Sequence, residues 1–165
     1  MYPVKLGYAT AIKRIKKLMA NGHHAEALVT TVFTTEKSFY RVLKRLVISA
    51  GFPAKQADVV LGAFRGFDNV KKAWECFDPK HERLTAFLSS KQLQTIAEAQ
   101  SMRNRLVHGQ KVYKLSKCRK TAESMLIVLE DVRKAFKKRY GFDGWSPMKL
   151  RKASYLHAHP TVKIA

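Results

Sequence analysis

Arg103-Asn104-Arg105-Leu106-Val107-His108, closed by Gly109, sets a guanidinium, an amide and an imidazole within six residues. A guanidinium grips phosphate through parallel N–H donors, and an imidazole moves a proton near neutral pH. Together they suit cleavage of RNA, which carries its own nucleophile in the 2′-hydroxyl and needs no metal. Arg103 and His108 are the candidate catalytic pair, with Asn104 beside them. Arg105, Lys111 and Lys114 stand beside them as candidate contacts to the RNA backbone.

Spacing alone does not single out this segment. With eleven arginines and six histidines, chance placement yields roughly one Arg–His pair at such a separation. Arg151 and His157 form a second pair with five residues between them. Context separates the two. The first pair ends a capped, amphipathic helix, whereas Pro160 follows closely on the second.

Periodicity is helical nearly throughout, with no convincing alternation of a strand. A first helix runs from about Tyr8 to Ala20 and stops at Asn21-Gly22. A second begins near His23 and continues to about Ala50, about 40 Å long. Its apolar residues Leu28, Val32, Phe39, Val42, Leu43, Leu46 and Val47 recur at three- and four-residue steps. Pro53 opens a third, with Val59, Val60, Leu61 and Phe64 inward. Asp68 caps a short segment that Asp78-Pro79 breaks, and another short helix spans about Glu82 to Leu88. Ser89 or Ser90 then caps the helix leading to His108, with Leu93, Ile96, Ala97, Ala99, Leu106 and Val107 inward. Ser116 caps the last long helix, which Gly141 ends.

The expected architecture is an all-α bundle of four main helices plus short helices and a basic C-terminal tail. The bundle occupies residues 1–141, and the tail 142–165 is pinned at its start by Trp145.

Thirty-two Lys and Arg against twelve Asp and Glu give a formal charge of +20. The cations are spread over every segment, so the folded body is electropositive and suited to a nucleic acid. No apolar run approaches the ~20 residues of a membrane span. The N-terminus lacks the pattern of a signal peptide, and Cys76 and Cys118 lack metal-binding spacing. The expectation is a cytoplasmic protein with reduced thiols and no membrane contact.

Arg103-Asn104-x-x-x-His108 at the end of the third main helix resembles the R-N-x-x-x-H signature of the HEPN superfamily. The helical arrangement over residues 8–141 is similar to that superfamily's bundle. The resemblance implies a metal-independent ribonuclease of toxin–antitoxin, antiphage or related type. It also implies a homodimer, in which two Arg/His sets meet across the interface. One subgroup carries a tyrosine two residues after the histidine. Gln110 stands there in this chain, which puts regulation at such a tyrosine in doubt.

In this reading His108 acts as base on the 2′-hydroxyl or as acid on the leaving oxygen, and Arg103 stabilises the phosphorane. One imidazole does not easily perform both proton transfers, which gives a chemical reason for a dimer. A dimer would carry about +40, so RNA or an acidic inhibitor or antitoxin protein is an expected companion.

Other sites rank lower. Glu75, Asp78 and Glu82 offset nearby cations rather than bind metal, and His23-His24 and His157-x-His159 lack zinc-type partners. No cofactor motif is present. Glu36 reads as a surface residue pairing with Lys37 or Arg41, with support of the site from a neighbouring helix as the other option. Phe33, Phe39, Tyr40, Phe64, Phe67, Trp74 and Phe77 read as core, leaving Tyr2, Tyr8 and Trp145 as the freer stacking candidates. The rival to the enzyme is a non-catalytic, basic, helical nucleic-acid-binding protein.

Overall fold

The computed structural model describes residues 7–64, 66–147 and 150–154, and it is all-α over them. The helices are α1 (Tyr8–Ala20), α2 (His24–Ser49), α3 (Ala54–Gly62), α4 (Phe67–Phe77), α5 (Ser90–Val107) and α6 (Leu115–Tyr140), with a 3₁₀ turn at Leu84–Ala86. Long α2 and α6 form the centre and run in the same direction, Glu26 lying toward Cys118 and Phe39 against Phe136, and α1, α3, α4 and α5 all pack on α2.

The apolar steps of α2 explain its position. Leu28, Val32, Phe39, Val42, Leu43, Leu46 and Val47 are all buried. Between them lies a polar stripe that hydropathy does not reveal: Thr30, Thr31, Thr34, Thr35 and Ser38 are buried as well. Each hydroxyl donates to the carbonyl four residues earlier, at 2.7–3.0 Å. Their hydrogen-bonding needs are met within the helix, so they can pack like small apolar residues. Phe39 sits at the hub of the core, edge-on to Phe67, Trp74 and Phe136. Trp74 and Phe136 stack with centroids 5.3 Å apart.

Helix ends follow the sequence signals at some places and not at others. Ser89 caps α5 in a reciprocal box, its hydroxyl accepting from the Gln92 N–H and the Gln92 side chain accepting from the Ser89 N–H. Gly141 closes α6 in the left-handed conformation. Asp68, by contrast, is not the cap of α4: Gly66 is, and Asp68 lies in the first turn, 2.6 Å from Lys71. Ser116 is not the cap of α6, which begins at Leu115 after Lys114 without a side-chain cap. Three expected core residues face outward: Val59, Ala97 and Val107 are exposed. In α3 and α5 the buried stripe is narrower than the run of apolar residues.

Past α6 the chain folds back on the bundle. Phe142 and Asp143 are buried. Asp143 accepts from Arg133 and from the backbone N–H groups of Trp145 and Ser146. Trp145 donates its indole N–H to Ser38 Oγ at 2.8 Å, so it does pin this segment to α2. Gly144 makes that approach possible. Its φ is +87°, and a Cβ there would lie 3.0 Å from the Ser38 carbonyl oxygen. Further on, the Arg151 carbonyl accepts from the Ala54 N–H at the start of α3.

Cys76 is exposed, whereas Cys118 is buried and its thiol pushed up by that burial. A thiol reagent is expected to modify one equivalent at once, and a second only in denaturant. Two fast equivalents in the native protein would contradict this packing of α6.

Candidate active site

Arg103 and His108 stand on one helix but on different sides of it. Five residues rotate a side chain by about 140° and advance it by about 7.5 Å. Arg103 continues the stripe formed by Ile96 and Ala99, both fully buried, and its own side chain is only 16% exposed. It pairs with Glu36 of α2, which also accepts from Gln100 at 2.7 Å. Its guanidinium lies over the Phe33 ring, 4.7 Å from the centroid. The Arg103 Nε is buried and has no hydrogen-bond partner among the described residues.

The place of Glu36 corrects the sequence expectation. It is not a surface partner of Lys37 or Arg41 but the residue that holds Arg103 from a neighbouring helix. A signal for this was present. Glu36 falls four residues after Val32 and three before Phe39, both buried, so a carboxylate interrupts an apolar stripe. Arg103 does the same on α5, with the opposite sign. Two such interruptions of opposite charge make each the natural partner of the other.

His108 is the C-cap of α5 and is exposed. Its N–H bonds the Asn104 carbonyl, the Gly109 N–H bonds Leu106, and the Gln110 N–H bonds Arg105. Gly109 adopts a φ of +64°, completing a Schellman turn that leaves the imidazole facing outward. Val107 beside it, and Val112 and Leu115 further along the connection into α6, are exposed apolar residues among polar ones, Val112 by 91%. Asn104 and Arg105 are exposed on the same last turns. Lys111 lies over the Tyr113 ring at 5.3 Å, and exposed Lys114 precedes α6. The three candidate catalytic residues are therefore split between two sides of the helix end. Arg103 turns inward, while Asn104 and His108 stay outside.

Arg103 lies in the wall of a concave groove of about 850 Å³ between α1, α2 and α4. Among the described lining residues, Arg14, Lys37, Arg41 and Lys44 bring four more cations, Lys44 paired with Asp58, and Glu36 is the one carboxylate. Phe33, Tyr40 and Trp145 bring aromatic faces. Lys37 and Arg41 flank the Trp145 ring at 5.7 and 5.3 Å, and burial together with Arg41 holds the Lys37 ammonium below its ordinary range.

No family model, curated protein or solved structure matches this chain. What it can do must therefore be argued from these residues.

The remaining candidates are structural. Tyr8 is no free stacking platform: its hydroxyl donates to Glu130, Arg133 lies over its ring at 3.7 Å, and Trp145 packs on it. Burial and that acceptor push its ionisation up to about 12. Glu75 pairs with Arg83, while Asp78 and Glu82 pair with Arg139. No group of acidic, His or Cys side chains suited to a metal occurs among the described residues. No described helix is long and apolar enough to cross a membrane. Tyr2, His157 and His159 lie outside the described residues.

Proposed function

We propose that this protein is a metal-independent endoribonuclease acting as a homodimer, a HEPN-like effector of the toxin or defence type. The observation that carries the reading is the placement of Arg103. A cation held by Glu36, which Gln100 steadies in turn, in the wall of a basic, concave groove is placed to meet a phosphate. His108 ends the same helix with its ring facing outward.

In the reaction, His108 removes the proton of a 2′-hydroxyl, and that oxygen forms a bond to the adjacent phosphorus. The phosphorane carries extra negative charge, which Arg103 offsets. The bond to the 5′-oxygen breaks and the departing oxygen takes a proton from water, while His108 returns the proton it removed to solvent, leaving a 2′,3′-cyclic phosphate and a 5′-hydroxyl. A single chain directs Arg103 and His108 to different sides of α5, so a second copy is needed to complete one site. Exposed Val107, Val112 and Leu115 are apolar residues such a copy would cover. With +20 on each chain, RNA or an acidic protein partner relieves the repulsion and can hold the enzyme in check.

One observation favours the non-catalytic alternative. Arg103 already has a carboxylate partner, and His108 does not line the groove. A cleavage assay in EDTA decides between the two. Arg103→Ala and His108→Ala are expected to lose activity by about 10²–10⁴-fold, with new ends carrying cyclic phosphate. His157→Ala, which alters the second Arg–His pair, is expected to cut like the wild type. Salt-dependent binding without cleavage in all four proteins would instead establish a binding protein.

A further inference from the structure

The groove contains more than an enzyme's phosphate clamp requires. Phe33 and Tyr40 stand one above the other on α2 at a seven-residue interval, and they are 41% and 37% exposed. Arg103 covers part of the Phe33 ring, yet both rings keep exposed area in the concave wall instead of being packed wholly into the core. Lys37, Arg41 and Lys44 occupy the same stretch of helix at three- and four-residue steps. Cations therefore run alongside the rings over nearly two turns, about 10.5 Å of helix. Lys44 reaches Asp58 at 2.5 Å, which fixes one end of the row.

From this arrangement we infer that the groove is a binding track for single-stranded RNA. One or two bases lie against Phe33 and Tyr40, and the phosphates between them face Lys37, Arg41 and Lys44. The inference rests on nucleic acid being the partner, but not on the chain cutting it. A volume of about 850 Å³ falls within the range of sites that enclose a small organic ligand, about 300–1,000 Å³, and so has room for one or two nucleotides. Duplex RNA does not fit the same chemistry. Its base faces are stacked on each other and its major groove is too narrow for side chains, so the aromatic rings would have nothing to contact. An anionic lipid surface would engage cations on a convex or flat face, whereas these line a concavity. Stacking tolerates any base, so the track binds with little sequence preference.

The test uses full-length protein, EDTA and a fluorescent twelve-residue 2′-O-methyl oligouridylate, which has no free 2′-hydroxyl and is not cut by the proposed route. Fluorescence anisotropy is expected to show binding to this strand well above binding to a blunt duplex of the same length. Phe33→Ala and Tyr40→Ala are each expected to weaken it by about five- to a hundredfold. Arg41→Ala should lower the slope of log affinity against log salt by about 0.7, the value for one phosphate contact on a single strand. Lys120→Ala removes an exposed cation outside the groove and should leave the aromatic dependence intact. Melting curves show whether each variant is folded. Oligonucleotide binding should also quench the fluorescence of Trp145, since the other tryptophan, Trp74, is fully buried. Equal affinity for duplex, unchanged binding by folded Phe33→Ala and Tyr40→Ala, or preference for phosphatidylserine vesicles would each overturn the proposal. Failure to cleave RNA would leave it standing, because the probe is not a substrate.

Discussion

Asp78→Ala is expected to lose about 3–5 kcal/mol of folding stability, the range for removing one member of a buried ion pair. The carboxylate is fully buried, and it accepts from Arg139 through both oxygens and from the Tyr140 hydroxyl. It also accepts from the backbone N–H groups of Lys80 and Glu82. These bonds tie the loop after α4 to the end of α6, and Tyr140 passes the connection to the Trp74 indole. Removing the carboxylate leaves Glu82 as the carboxylate partner of Arg139 and strands the Tyr140 hydroxyl proton and two backbone amides. For a chain of this size the melting temperature should fall by about 6–20 °C. Asp78→Asn keeps the shape and some of the acceptors, so its cost should be smaller. Thermal denaturation followed by circular dichroism measures both. A fall of under 1 kcal/mol in the alanine variant would mean that the network does not hold the loop.

The same network sets a pH dependence. Burial pushes the Asp78 carboxyl up, but Arg139, Tyr140 and the two amides outweigh it and hold it well below the usual carboxylate range. Asp143 is held low in the same way, with burial opposed by Arg133, Trp145 and Ser146. A carboxyl depressed in the folded state contributes stability above its unfolded value, about 3.9, and loses that contribution as pH falls through and below it. Stability should therefore be nearly flat from pH 5 to 8 and drop steeply below 4. Asp78→Asn should show a shallower acid limb than the wild type.

Much of the bundle was legible because its signals are local. Apolar steps of three and four place α2 and α6 at the centre, and Gly22, Gly51 and Gly141 mark helix ends through backbone conformation alone. The capping box at Ser89 and Gln92 is likewise a short-range pattern. What escaped is decided by tertiary packing. Val59 and Val107 are apolar but fall outside the narrow contact stripes of short or peripheral helices. Phe33 and Tyr40 have the spacing of core aromatics, yet the concavity between α1, α2 and α4 leaves them open. The buried Thr and Ser residues of α2 escape a hydropathy reading because their hydroxyls are satisfied inside their own helix. The Glu36–Arg103 pair joins residues 67 positions apart, a separation that no motif spans. The short Arg–His segment was legible as chemistry, but its division between an inward arginine and an outward histidine was not. That division follows from the 140° between them, and it turns the question of activity into one of assembly.

Mixing two inactive variants is therefore expected to restore activity. If the site takes Arg103 from one protomer and His108 from its partner, Arg103→Ala and His108→Ala homodimers each lack one group in both sites. In a mixed dimer, one site lacks both groups and the other has both. Random exchange makes about half the dimers mixed, each with one good site of two, so the mixture should recover about a quarter of wild-type activity. Two inactive preparations that recover this much on mixing have no explanation within a single chain. A site built in one protomer predicts no recovery, since every chain in the mixture carries one defect. Subunit exchange must be shown independently, by mixing differently tagged proteins and recovering both tags together. High salt should favour exchange into dimers by screening the repulsion between two highly basic chains, while weakening RNA binding. The assay is thus best run by mixing at high salt and diluting into low salt with substrate. Co-recovery of the tags with no return of cleavage would assign both groups to one chain. Arg103 would then have to leave Glu36 and swing toward His108, a movement that the stripe of Ile96 and Ala99 beneath it opposes.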